Sequence, residues 1–198
     1  MKLSPPISIL ALVLGAMAIL AFVHHQHEQE RRVLACGAAS TYVSHVLSQK
    51  SAHPYFFVTE SPYRVPSISV DRFLASDEGR KWQKPEFALE VELAHERERL
   101  GSQSPFTECP KIKEILLEMK VSYGVLSNER LPPVQADGYY PHIYFSVSMP
   151  SIDRTKRFAA LESSEVSGPL AGGGWEVRLE AQNNNTWAIE EESSTWIS

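Results

Sequence analysis

The feature that most constrains this chain is the run from Ile7 to Val23, ISILALVLGAMAILAFV, whose only polar side chain is Ser8. As a helix rising 1.5 Å per residue it is about 25 Å long, and with Pro5 and Pro6 it approaches the ~20 residues that cross a bilayer. Proline is tolerated there, because the first turn of a helix has no N–H partner to lose. A signal peptidase reads small residues just after such a core. Here the core passes into His24-His25-Gln26-His27-Glu28-Gln29-Glu30-Arg31-Arg32. The expectation is therefore an uncleaved transmembrane anchor over residues 1–23, with a cleaved signal peptide as the competing reading. A juxtamembrane stem over 24–35 and a single α+β domain over 36–198 complete the expected organisation. Lys2 and the N-terminal amine oppose Arg31 and Arg32, so the positive-inside count barely discriminates between orientations. Short anchors of this shape usually export the domain attached to them, which gives a single-pass inner-membrane protein with its domain in the periplasm or outside.

Charge narrows the function classes. With 19 basic and 24 acidic side chains the net charge is -5, and nothing offers the basic footprint that a phosphate backbone selects. Nucleic acid is not an expected partner. His24 and His27 share a helix face at i, i+3, but a metal site needs more ligands and a supporting shell, so the stretch reads as solvated. His95-Glu96 begins like a zincin helix, yet the residue four after His95 is Arg99 rather than a second histidine. No metal and no cofactor is expected.

The middle of the chain mixes helices with two short strands. Tyr42, Val43, Val46 and Leu47 recur at helical spacing after Cys36, and His53-Pro54 ends that helix. Tyr55 to Thr59 is an aromatic and β-branched run that predicts a strand. Ser61 to Ser67 reads as a loop. Ser69 or Asp71 caps a helix carrying Phe73, Leu74 and Trp82. Glu86 to Leu100 reads as a helix with Leu89, Leu93 and Leu100 on one face and a solvated Glu and Arg face from 96 to 99. Pro110 opens another helix, with a stripe of Ile112, Ile115, Leu116 and Met119. Val121 to Leu126 reads as a strand, and Asn128 to Gly138 as a turn-rich connector.

The last sixty residues change character. Ile143, Phe145, Val147 and Met149 alternate with His142, Tyr144, Ser146 and Ser148, the pattern of a half-buried strand. Arg157 to Ser163 is a second strand. Gly168 to Gly174 reads as a flexible turn, and Trp175, Val177 and Leu179 alternate with Glu176, Arg178 and Glu180 in a third strand. Asn183-Asn184-Asn185 makes the next turn, and the fourth strand runs from Trp187 to near Trp196-Ile197. Four strands at short spacing predict an antiparallel meander.

These C-terminal features, Phe145-Ser146, Ala159-Ala160-Leu161, Gly168-Pro169-Leu170-Ala171-Gly172-Gly173-Gly174, Trp187 and Trp196-Ile197-Ser198, together resemble a family of uncharacterised bacterial proteins, often exported or membrane-anchored. Tyr42 to Leu47, Tyr55 to Thr59 and Tyr123 to Ser127 resemble that family's order of elements. The chain departs from the pattern at Ala171 and Glu60. The resemblance implies an architecture, with no activity attached.

Among candidate functional residues, Cys36 and Cys109 lie at the starts of two expected helices and form a possible disulfide. His142, Tyr144 and Trp175 form a possible binding surface, because aromatic strands with one polar face suit recognition. No G-x-S-x-G elbow is present for a serine nucleophile. Asp71, Asp77, Asp137 and Asp153 each sit at turn or cap signals, where a carboxylate serves the backbone. The leading expectation is a membrane-anchored envelope protein that acts as a non-catalytic binding module for a protein or cell-envelope component. The alternatives are an envelope hydrolase with a site built from scattered residues, and an accessory subunit of a membrane complex.

Overall fold

A computed structural model describes residues 5–49, 51, 53–62, 68–126, 132–183 and 186–197, with side chains from Val13 onward. Parts of two expected loops (63–67 and 127–131) and Asn184 and Asn185 of the expected turn lie outside the described residues. The chain forms two compact units, Met1–Val33 and Leu34–Ser198. Helix α1, Pro5–Ser48, runs through the boundary between them.

The N-terminal expectation requires correction. From Val13 the apolar run lasts to Val23, eleven residues or about 16 Å of helix, and then meets three histidines and a glutamate within five residues. Among the described residues no helix is long and apolar enough to cross a membrane, which does not fit a single-pass inner-membrane protein. The anchor, and the periplasmic or outside placement derived from it, fall on that ground. The side chains of Ile7 to Leu12, the other part of the expected anchor, lie outside the described ones. The expected stem over 24–35 is helical throughout and continues into the expected helix at Cys36 without a break.

In the larger unit, strand β1 (Tyr55–Val58) is followed by the short helix α2 (Val70–Leu74). Its N-cap is Ser69, whose hydroxyl accepts from Arg72 N–H, satisfying a donor that the first turn leaves open. Trp82 was expected on this helix. It instead lies in a separate 3-10 turn, Gly79–Gln83, because the chain turns back so tightly that a β-carbon on Gly79 would sit 1.9 Å from the Phe73 carbonyl oxygen. Helix α3 (Ala88–Leu100), helix α4 (Pro105–Glu108) and helix α5 (Pro110–Glu118) follow. The last two both start with proline in the first turn. Lys120, at φ 56°, closes α5: Val121 N–H reaches back to Leu116 O at 2.8 Å, a left-handed helix stop in which lysine stands where glycine is usual.

Strands β2 (Ser122–Gly124), β3 (Ile143–Val147), β4 (Ser151–Ile152), β5 (Phe158–Gly168), β6 (Ala171–Ala181) and β7 (Trp187–Ile197) complete a seven-stranded sheet. Its order is β2-β1-β3-β5-β6-β7, with β4 beside β5. The expected meander is present as the antiparallel ladder β3-β5-β6-β7. The sheet as a whole is mixed, because β1 pairs in parallel with both β2 and β3. Parallel neighbours need long crossovers, here the helices between β1 and β2 and the connector between β2 and β3.

The first sheet face packs on the C-terminal part of α1 and on α4 and α5. Phe57, Phe145, Val147, Leu161, Val177 and Leu179 form one core with Ala38, Ala39, Val43, Phe106, Ile112 and Leu116. Small residues let α1 come close; a β-carbon on Gly37 would lie 3.2 Å from Trp187 Nε1. Cys36 and Cys109 meet at disulfide distance, with sulfur atoms 2.06 Å apart, and tie α1 to the start of α5 across 73 residues.

Three expectations change on the sheet. First, β3 is buried on both faces, not one: Tyr144 and Ser146 are buried as well as Phe145 and Val147, because Val58, Tyr140, Phe56 and Val166 pack with Tyr144 on the second face and Ser164 lies against Ser146. Second, the glycine run is not a loop. Only Pro169 and Leu170 turn, while Gly172, Gly173 and Gly174 pair with Val166, Glu165 and Ser164 inside the β5–β6 ladder. Third, the Glu and Arg stretch of α3 is not simply solvated. Arg97 has a side chain only 14% exposed, and its guanidinium bridges Glu162 and Glu176 on the sheet at 2.9 Å each.

Candidate functional site

Side chains alternate along a strand, so the second face of the sheet carries Val58, Tyr144, Ser146, Glu162, Ser164 and Val166, together with Gly172 and Gly174. Helix α3 covers part of this face through Arg97 and through Arg178, which donates to Glu90 at 3.2 Å. Beyond α3 the face opens into a groove of about 880 Å³. Val58, Leu126, Val166 and Trp196 supply apolar wall, Tyr144, Ser146 and Ser164 its polar strip, and Glu60 and Glu162 its carboxylates.

The Trp196 wall has a specific origin in the glycine run. A β-carbon on Gly174 would come within 2.2 Å of Trp196 Nε1, and one on Gly172 within 3.3 Å of the far edge of the same ring. The indole therefore lies flat against backbone, at 45% exposure. An irregularity in β7 sets this up: Gly174 faces Trp196 but Trp175 faces Ser194, so Thr195 is an extra residue. Such a bulge shifts which side chains reach a given face, and it delivers Trp196 to the groove. On the opposite face Trp175 covers Gly173 in the same manner, its ring 2.7 Å from where a β-carbon would be.

Ser146 and Ser164 face each other across β3 and β5, with hydroxyl oxygens 2.8 Å apart. Two hydroxyls hold two protons and their mutual bond uses one, which leaves a donor for a ligand or water. Their mutual partner is a hydroxyl rather than an imidazole or a carboxylate, so neither is set up as an activated nucleophile in this geometry. Glu162 has its pKa raised by burial, an effect that Arg97 opposes and Glu176 reinforces. The Tyr144 hydroxyl is likewise pushed up, by burial first and then by Tyr140.

Of the residues expected to form a binding surface, the structure brings Tyr144 and Trp175 to the groove, Trp175 at its border with the ring on the other face. His142 is not in the lining. Its ring stands edge-on to Phe56 at 6.3 Å and tilted against Tyr144 at 6.3 Å, beside the groove. Asp137 and Asp153 serve the backbone as expected. Asp137 accepts from Tyr139 N–H at 3.0 Å, and Asp153 accepts from Arg157 and Phe158 N–H at 2.8 Å each. Sequence reasoning did not single out Trp196, Ser146, Ser164, Glu60 or Glu162 as site residues. For Trp196 the signal was the glycine run, which is also what a tryptophan lying on a strand requires. Among the described residues no group of three or more His, Cys, Asp or Glu side chains is placed to hold a metal ion.

No family model, no curated protein and no solved structure matches this chain.

Proposed function

We propose that this protein is a non-catalytic binding module and that the groove on the second sheet face is its binding site. The observation that carries the reading is the Trp196 platform, an indole left almost half exposed and seated on glycine backbone beside a paired hydroxyl strip. Binding sites characteristically combine apolar and aromatic walls with a few convergent polar groups. Tryptophan is among the residues most enriched at the energetic centres of interfaces. The groove has both properties, and its hydroxyl strip and Trp196 sit on strands of the sheet, so a ligand would meet a surface that needs little reorganisation there.

A fragment screen followed by amide mapping on isotopically labelled protein tests the reading. Fragments that bind are expected to shift the amides of Tyr144, Ser146, Ser164 and Trp196 together with the Trp196 indole N–H. Perturbations confined to the apolar corner formed by Phe73, Leu74, Trp82 and Val91, with none in the groove, would overturn it.

A further inference from the structure

Helix α3 is attached to the sheet in a different way from α1 and α5. Over residues 70–100 only Gly79 and Leu93 are buried, whereas the much shorter α5 buries both Ile112 and Leu116. Leu93 belongs to neither of the buried clusters on the two sheet faces, and what the main core takes from this stretch is Leu100, at the end of α3. Charge holds the helix instead. Arg97 bridges Glu162 and Glu176 at 2.9 Å each, Arg178 reaches Glu90 at 3.2 Å, and the backbone N–H and guanidinium of Arg154 face Glu92. Pairs that are partly exposed, as these are, hold far less firmly than buried apolar contacts.

The elements before α3 are tied to it more closely than to the sheet. Val70 N–H donates to Glu98 Oε2 at 3.1 Å, Gln83 Nε2 donates to Leu74 O at 2.8 Å, and the Trp82 and Phe87 rings lie 4.9 Å apart. At the other end of α3 the chain passes through Gly101, at φ 57°, a conformation that glycine adopts without steric cost. Beyond it the chain is fixed again. Gln103 O accepts from Met149 N–H at 3.3 Å, Ser104 caps α4, and Phe106 is fully buried. A weakly buried unit that coheres within itself, then a glycine, then an anchored helix are the parts of a hinge.

We propose that residues 70–100 are a hinged cover on the second sheet face, which detaches at Gly101 while the sheet, α4 and α5 stay folded, and that the ion pairs of Arg97 and Arg178 are its latch. Detachment bares Glu176 and Arg178 beside Glu162, so the open face continues from the groove along β5 and β6. The inference concerns the cover alone and holds whatever the groove binds.

The experiment is native-state hydrogen exchange on the full chain, followed in rising urea below the unfolding transition. A helix of thirteen residues does not hold its own hydrogen bonds in water once detached, so opening registers as exchange in α3. The α3 amides are expected to be about a hundredfold less protected than those of β5 and β6, with a smaller dependence on urea because less surface is exposed. Two variants separate opening of the cover from unfolding of the whole. Ile112→Val, in the core on the other sheet face, should speed exchange in β5 and β6 several-fold. It should leave α3 unchanged, because the contacts of Ile112 persist when only the cover opens. Arg97→Met should speed exchange in α3 by about tenfold or more, because it weakens the closed state and not the open one. Equal protection and equal urea dependence in α3 and in β5 and β6 would overturn the inference. So would α3 exchange that follows Ile112→Val as closely as the strands do. Exchange in α3 that ignores Arg97→Met would also overturn it, since the opening would then not break these pairs.

Discussion

Trp196 lies on Gly174 so closely that a β-carbon at that position would come within 2.2 Å of the indole Nε1. No real β-carbon contact is that short, so the ring must move if Gly174 gains a side chain. The obstacles are side chains rather than backbone, the Trp196 ring and the Thr195 hydroxyl at 2.9 Å. Gly174→Ala is therefore expected to displace Trp196 while leaving the β5–β6 ladder in place. Tryptophan emission should shift to longer wavelength and be quenched more readily by acrylamide, with a loss of stability of about 1–2 kcal/mol. Gly172→Ala should cost more, because its β-carbon would meet the Glu165 carbonyl oxygen at 2.8 Å. Equal emission spectra for wild type and Gly174→Ala would refute the placement of Trp196.

Arg97 joins α3 to two strands, and its loss strands a half-buried carboxylate. Glu162 has a side chain 30% exposed and already titrates high because of its burial. Breaking a buried pair by removing one partner is destabilising, more so than the worth of the pair itself. With the partial exposure taken into account, Arg97→Met is expected to cost about 2 kcal/mol, and adding Glu162→Gln should recover part of that loss. The check is a double-mutant cycle in urea, and simple additivity of the two changes would contradict the coupling.

The Cys36–Cys109 pair closes a loop that holds β1, α2, α3 and α4, so reduction releases a large part of the larger unit. Chain-entropy arithmetic for a separation of 73 residues gives roughly 4 kcal/mol. At about 2–4 °C per kcal/mol for a unit of this size, reduction or a Cys36→Ala/Cys109→Ala double variant should lower Tm by roughly 10 °C. An unchanged melting curve after complete reduction would contradict it.

The parts of this architecture that local chemistry dictates were readable in advance. Ser69 as a cap, Pro110 as a helix start, Asp153 in a turn and the antiparallel pairing of β3 with its successors each depend on residues close in sequence. What was not readable depends on distant partners. Nothing in Tyr55 to Val58 says that it pairs in parallel with residues 122–124 and 143–146. Without that pairing β3 looks half exposed, although its serines face Ser164 and the backbone of Glu162. The glycine run misled for the same reason. Glycine signals a turn when only backbone freedom is considered, but here it makes room for Trp175 and Trp196. Arg97 belonged to a charge-rich helix face, and only the position of α3 over β5 and β6 turns it inward. In the groove, Tyr144 was legible as an aromatic on a strand. Trp196 was not, because the extra residue Thr195 interrupts the alternation that a reader of β7 would extrapolate.

Glu165 offers a pH signature on the face opposite the groove. It lies next to Ser163 and Ser164 on β5, and burial raises its pKa above the ordinary glutamate range. Its charge in turn helps to push up Tyr42 and Tyr55, after the larger effect of their own burial. Below the unfolded-state value Glu165 is protonated in both states, and its contribution to stability is fully present. As pH rises through the interval between the unfolded and the higher folded value, the unfolded chain releases its proton first. The contribution is then progressively lost. Glu162, raised in the same direction, adds to the trend. Glu165→Gln is neutral throughout, so it should be more stable than wild type at neutral pH and should show a shallower fall between acidic and neutral conditions. Urea midpoints measured across that range check the sign. A variant that is less stable than wild type at neutral pH, or one with an unchanged pH slope, would show that the Glu165 carboxylate gains more from its neighbours than it loses by burial.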